Sequence, residues 1–222
     1  MLGPIAIVPS APVLVPELAG TAPEAAQLRA AALAAAATLP PRWVALGAGA
    51  DGVFGPDSAG SFAGFGADVA VRLAPGSERP ADLPLCALVA GWVRGQLRPD
   101  ASVLVHARTD PAAALAAGRR LRARIEQSPE PIGVLVLADG ANTLTPTAPG
   151  GHHPEDVGVQ RALDDALAAG DVAALADLPP QIVGRAAFAA LAGLAETPPR
   201  TATQLYRDAP YGVGYFVGVW EP

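Results

Sequence analysis

Few side chains in this chain could do chemistry. It holds 3 histidines and 1 cysteine. His106 follows an apolar stretch and precedes Asp110, which suits a loop role. His152 and His153 are adjacent, in a Gly-rich stretch just ahead of a helix start. Neighbouring side chains diverge on strands and helices alike, so the pair does not chelate one metal naturally. Pro154 also biases His153 toward extended backbone. The spacing therefore allows one histidine of the pair to line a pocket. No H-E-x-x-H, C-x-x-C or 2-His-1-carboxylate spacing occurs, so no local motif spells a zinc or iron site. Cys86 lies in an apolar helix, Leu83 to Val93, with no base nearby in sequence. It reads as a small inert hydrophobe. Gly47-Ala48-Gly49-Ala50-Asp51-Gly52 matches G-x-G-x-x-G after a strand. A dinucleotide site also needs a helix to open there. Val53 to Asp57 is poor helix sequence, so the stretch reads as a flexible turn. Arg119, Arg120, Arg122 and Arg124 occupy the C-terminal half of one helix and complement its dipole on solvated faces. Phosphate binding there is the second reading.

Composition narrows the classes. In 222 residues, 51% are hydrophobic and 16% charged, which excludes general disorder. Every apolar stretch is broken well short of the roughly 20 residues that a membrane span needs. Met1-Leu2-Gly3-Pro4 puts no basic segment ahead of its apolar run, so no signal peptide is expected. All 15 basic residues are Arg. The lack of Lys removes Schiff-base chemistry and any P-loop lysine. A net charge of −6 argues against a nucleic-acid partner. A single cysteine excludes an internal disulfide framework and fits the cytoplasm.

These residues need elements to position them. Ile5–Val8, Trp43–Leu46, Ser102–Val105, Ile132–Leu137 and Val213–Val219 read as strands, with a further one at Val69–Leu73. Helices are expected from Thr21 to Ala37, Leu83 to Leu97, Asp110 to Gln127, Pro154 to Gly170 and Gln181 to Leu194. Thr21-x-x-Glu24 fits a capping box, and Asp110-Pro111 fits an N-cap with Pro at the first helical position. Val13 to Val15, between prolines, reads as loop or extended chain. Gly47–Gly66 and Asp139–His153 read as long loops, which are often functional. In the last strand Val213, Tyr215, Val217 and Val219 share one face, while Gly212, Gly214 and Gly218 share the other. Glycine in a strand marks close approach by a backbone or a ligand. Strands alternating with helices indicate α/β architecture: one domain over residues 1–222, with a mixed, largely parallel sheet and helices on both faces.

Three separated segments resemble the class III extradiol ring-cleavage dioxygenases, whose LigB-type fold is shared with the MEMO family. Pro9-Ser10-Ala11-Pro12-Val13-Leu14-Val15-Pro16-Glu17-Leu18 resembles P-H-P-P-I-L-I-P-E-I. Ala138-Asp139-Gly140-Ala141-Asn142-Thr143-Leu144-Thr145 resembles G-D-L-S-H-R-L-T. It continues through Ala148-Pro149-Gly150-Gly151-His152-His153-Pro154-Glu155, similar to P-x-G-Y-x-P-E. Ala209-Pro210-Tyr211-Gly212-Val213-Gly214-Tyr215 resembles P-F-G-V-G-Y. The resemblance covers the chain in order and implies a pocket at the strand ends.

The family's reactive groups do not follow. Its enzymes hold Fe(II) with two His and one Glu. By the resemblance, the first His falls at Ser10. The second falls within Gly47 to Ala50, where no His occurs, and the Glu falls near Arg185. The catalytic His falls at Asn142. An Arg there repels a divalent cation and would favour an anion such as a carboxylate or phosphate. Glu196 is the carboxylate further along that helix which a displaced helix could recruit. The expectation is a protein with no catalytic residue, no metal ligand and no cofactor, which binds a small ligand or a protein partner. Its pocket would use Ser10, Asp139, Asn142, His152 or His153, Arg185, Tyr211 and Gly214. The alternatives are an enzyme with a relocated metal site using Asp139, His152 or His153 and Glu17, and a metal-free hydrolase or isomerase. Self-association is expected from the resemblance alone.

Overall fold

The computed structural model describes residues 1–20 and 22–222. The chain runs β1 (Leu2–Val8), α1 (Pro16–Ala19), α2 (Pro23–Ala36), β2 (Arg42–Ala48), β3 (Gly52–Phe54), β4 (Ser58–Ser61), β5 (Ala70–Arg72) and β6 (Arg79–Pro80). It continues through α3 (Leu85–Leu97), β7 (Ser102–Arg108), α4 (Pro111–Glu126), β8 (Ile132–Leu137), α5 (Asp156–Ala169), α6 (Val172–Leu175), α7 (Arg185–Ala195), β9 (Thr201–Asp208) and β10 (Tyr215–Glu221). Seven strands form one sheet in the order β3-β7-β2-β8-β1-β10-β9. Its centre, β7-β2-β8-β1, is parallel. β3, β10 and β9 add antiparallel edges. The expected mixed, largely parallel sheet with helices on both faces is present.

Each sheet face carries its own core. Ala6, Val8, Ala45, Leu135, Leu137, Tyr215 and Val217 pack under α2 and α3, with Leu28, Cys86 and Trp92. Ile5, Ile7, Leu46, Val134, Val136, Phe216 and Trp220 pack under α4, α5 and α7. The alternation along β1, β8 and β10 follows from the two-residue period of a strand. Burial on both faces explains why β8 reads as an unbroken apolar run. α4 and α7 cross closely because glycines face them: a Cβ on Gly118 would lie 2.1 Å from the Ala190 carbonyl oxygen.

The Asp110 carboxylate caps α4 through the Ala113 N–H at 2.7 Å, with Pro111 following, as expected. Other boundaries differ. Thr21 lies outside the described residues, and the N-cap of α2 is Ala22, without a side-chain cap. α5 opens at Asp156 and α7 at Arg185, later than Pro154 and Gln181. The Pro-rich stretch from Pro12 to Leu14 is a 3-10 turn leading into α1. The expected loop Gly47–Gly66 contains β3, β4 and a 3-10 turn. β4 joins β5 and β6 in a small second sheet. β9 was not expected: its residues are half-buried or exposed, so it lacks an apolar signal.

Candidate functional site

Three parallel strands end side by side. Val8 at the end of β1 pairs with Leu137 at the end of β8, and Gly47 near the end of β2 pairs with the same Leu137. The next residues therefore emerge together at the carboxyl edge, where open α/β sheets form their crevice. They are Ser10, Gly49 and Asp139. With Ala48, Leu137 and Ala138 they line a cavity of about 190 Å³. Two helix starts complete it: Pro84 and Leu85 at α3, and Val183 and Gly184 at α7. Gly184 must be glycine here, because a Cβ would lie 2.6 Å from that of Ala138 and 2.8 Å from the Asp139 backbone nitrogen.

Among the described residues, Asp139 is the only ionisable side chain in the lining. Its Oδ1 accepts the Ser10 backbone N–H at 3.0 Å. Burial among apolar groups pushes its carboxyl up to about 7, and that hydrogen bond pulls it partly back. Tyr215, at the start of β10, is 5% exposed. Its phenol is pushed up by burial and then by the Asp139 charge. The Cys86 thiol, buried beside Gly47, is raised to about 11 by desolvation, which fits an inert packing role.

The Asp139 loop is held from behind. The Gly140 N–H donates to the Gly214 carbonyl at 2.8 Å, and the Gly214 N–H donates to the Ala141 carbonyl at 2.8 Å. The Ala141 N–H donates to the Gln160 Oε1 at 2.8 Å. Gln160 Nε2 donates in turn to Asp164 at 2.7 Å. Arg207 pairs with Asp164 at 3.0 Å. Burial raises Asp164 to about 6, while Gln160 and Arg207 pull it down. The Val183 and Gly184 N–H groups donate to the Gly140 and Asp139 carbonyls at 3.2 and 2.8 Å.

Of the residues expected from sequence, the structure brings Ser10 and Asp139 together in the cavity and leaves the others out of its lining. Asn142 shares the Asp139 loop but faces Gly150, whose N–H donates to the Asn142 carbonyl at 2.9 Å. His152 and His153 are both exposed, and the His153 Nδ1 stands 3.3 Å from Glu155. The loop turns them outward before α5 begins. Arg185 is half-buried as the first residue of α7, one position past the lining residue Gly184. Glu196 caps the far end of α7, so its recruitment is ruled out by the length of the helix. Tyr211 is half-buried, and its hydroxyl finds no partner among the described residues. Gly214 packs against Gln160, not the cavity. Pro84, Leu85 and Val183 were not expected, because apolar lining residues carry no chemical signal in sequence.

The lining does not fit iron. It offers one carboxylate, one hydroxyl and no imidazole. A facial triad needs three protein ligands with open positions beside them. Among the described residues no three His, Cys, Asp or Glu side chains gather closely enough to hold a metal ion. None of the described helices is long and apolar enough to cross a membrane.

No family model matches the chain. No curated protein matches it. Among solved structures, the crystal structure of the uncharacterized protein JW3007 from Escherichia coli K12 is similar with a TM-score of 0.58, covering 99% of this chain and 100% of that one. The two sequences are 11% identical, so the likeness is one of fold alone.

Proposed function

We propose that this chain is a degenerate member of the class III extradiol dioxygenase family that holds a small molecule in the Ser10–Asp139 cavity and does not cleave aromatic rings. One observation carries the reading. Ser10, Ala48 with Gly49, and Gly184 beside Arg185 stand at or next to the three positions which the resemblance aligns with the family's metal ligands. These segments come from opposite ends of the chain, yet they border one cavity. On this reading the positions of the family's ligands are taken by the Ser10 hydroxyl, by small residues at Gly47 to Ala50 and by Arg185, whose neighbour Gly184 lines the cavity. Binding of a protein partner at the same edge, self-association and a cytoplasmic setting belong to the same proposal. The net charge of −6 favours neither nucleic acid nor an acidic membrane surface as partner.

A second reading, a metal-free isomerase, is favoured by the Asp139 carboxyl, which is raised to about 7 and so suited to exchange protons near neutrality. A hydrolase is less well served. Asp139 bonds the backbone N–H of Ser10, and a nucleophile needs its base on the hydroxyl. The test is anaerobic reconstitution with Fe(II), followed by metal analysis and assay with protocatechuate and simple catechols. The expected result is no stoichiometric iron and no ring-cleavage absorbance. Stoichiometric iron with turnover would overturn the proposal.

A further inference from the structure

We infer that the molecule held in this cavity is a small protonated amine on an apolar body about the size of one six-membered ring, with Asp139 as its counter-ion. The inference rests on the reading of the cavity as a ligand site. Size sets the first limit. An apolar protein cavity of about 150 Å³ takes up benzene, and this one is about 190 Å³. Leu85, Leu137 and Val183 supply apolar walls, and Val183 is 51% exposed, so the wall it forms reaches solvent.

Charge sets the second limit. The resemblance put Arg185 here and with it an anion, but the lining holds Asp139 and no Arg or His. An anion would meet a carboxylate in apolar surroundings, where like charges are costly. The start of α7 does not offset this. The N–H groups of Val183, Gly184 and Arg185 are already spent on the Gly140, Asp139 and Ile182 carbonyls. A cation instead compensates the half-buried carboxylate, and charge-assisted hydrogen bonds of this kind are the strong ones. Asp139 Oδ1 is held by Ser10, which fixes the carboxylate's orientation and leaves its other oxygen for the ligand. The titratable side chain coupled to Asp139 is Tyr215, at the start of β10, one strand beyond β1, with Tyr211 and Tyr206 beyond it. None of the three carries positive charge, so none competes with an amine.

Calorimetry and amide NMR with benzylamine, benzyl alcohol and benzoate separate the outcomes. At about pH 8, benzylamine should bind at least about tenfold tighter than either relative, as expected for a paired buried charge. Its affinity should fall as the pH drops toward about 5.5, because Asp139 takes up a proton and the pair is lost. Asp139→Asn should remove the preference for amine while leaving benzyl alcohol within about threefold. Ala48→Leu, which fills the cavity and keeps the carboxylate, should abolish binding of all three. Benzyl alcohol or benzoate binding as well as the amine would overturn the amine class and keep the cavity as a ligand site. No shift of the Gly49, Asp139 and Gly184 amides with any probe would overturn both.

Discussion

Replacing Gly214 by alanine should loosen the loop that carries Asp139. A Cβ there would lie 2.1 Å from the Gln160 Cδ and 2.2 Å from its Oε1. Gly214 is not among the glycines with positive φ, so the cost is one of contact and not of backbone conformation. Gln160 cannot simply swing aside, because it is buried and bonded at both ends, to the Ala141 N–H and to Asp164. If it moves, the Ala141 N–H is left without its acceptor, which costs about 1–3 kcal/mol. If the backbone moves instead, overpacking costs about 1–3 kcal/mol. A total of about 2–4 kcal/mol follows, since relaxation shares the two. For a chain of this length that lowers Tm by about 5–15 °C. Urea unfolding should show a lower midpoint with an unchanged slope. Gly158→Ala is the control: nothing lies within 4 Å of its Cβ, and it sits inside α5, so it should stabilise by about 0.5–1 kcal/mol. In a Gln160→Ala background the Gly214→Ala penalty should shrink, because the clash is gone. A Gly214→Ala variant within about 0.5 kcal/mol of the parent, or an unchanged penalty in that background, would refute the reasoning.

Other expectations follow from charge and burial. Asp139 titrates near 7 when folded and at the ordinary carboxylate value when unfolded. The folded state therefore holds the extra proton between those values, and stability falls as pH rises from about 4 to about 7. Asp139→Asn should flatten this slope and be more stable than the parent at about pH 8, read by urea unfolding across the range. His106 runs the other way: burial, then Arg108 and Arg124, lower it to about 4, and its Nε2 is buried without a partner among the described residues. Its neutral form is favoured in the fold, so its contribution is lost as pH falls from about 6.5 to about 4, and His106→Leu should resist unfolding better at about pH 5. Buried Arg94 donates to the carbonyls of Ala101 at 2.6 Å, Arg72 at 3.3 Å and Pro99. Arg94→Met should cost about 2–4 kcal/mol by calorimetry, because three acceptors lose a charged donor.

Much of the fold was legible because burial on both faces leaves a strong mark. Ile132–Leu137 was bounded to the residue, and the Asp110-Pro111 start of α4 could be read from its cap. β9 was missed because an edge strand with exposed faces has no period to detect. The lining of the candidate cavity was legible only in part. Ser10 and Asp139 were reached through the resemblance, and each follows an apolar strand. The histidine pair misled, since chemistry-bearing side chains on a Gly-rich loop can face water as readily as a cavity. Whether Arg185 or Gly184 reaches the crevice depends on a helix start one residue away, which no sequence pattern fixes. Pro84, Leu85 and Val183 are ordinary hydrophobes until the fold gathers them.

The central claim is that the Ser10–Asp139 cavity takes a small molecule and not iron. Anaerobic titration of isotopically labelled protein with Fe(II), and with Mn(II) as a paramagnetic stand-in, tests it most directly through the amides of Ser10, Gly49, Asp139 and Gly184. The account predicts that these signals stay sharp at one equivalent of metal and shift only when benzylamine is added. Selective, stoichiometric broadening of those four amides would contradict it.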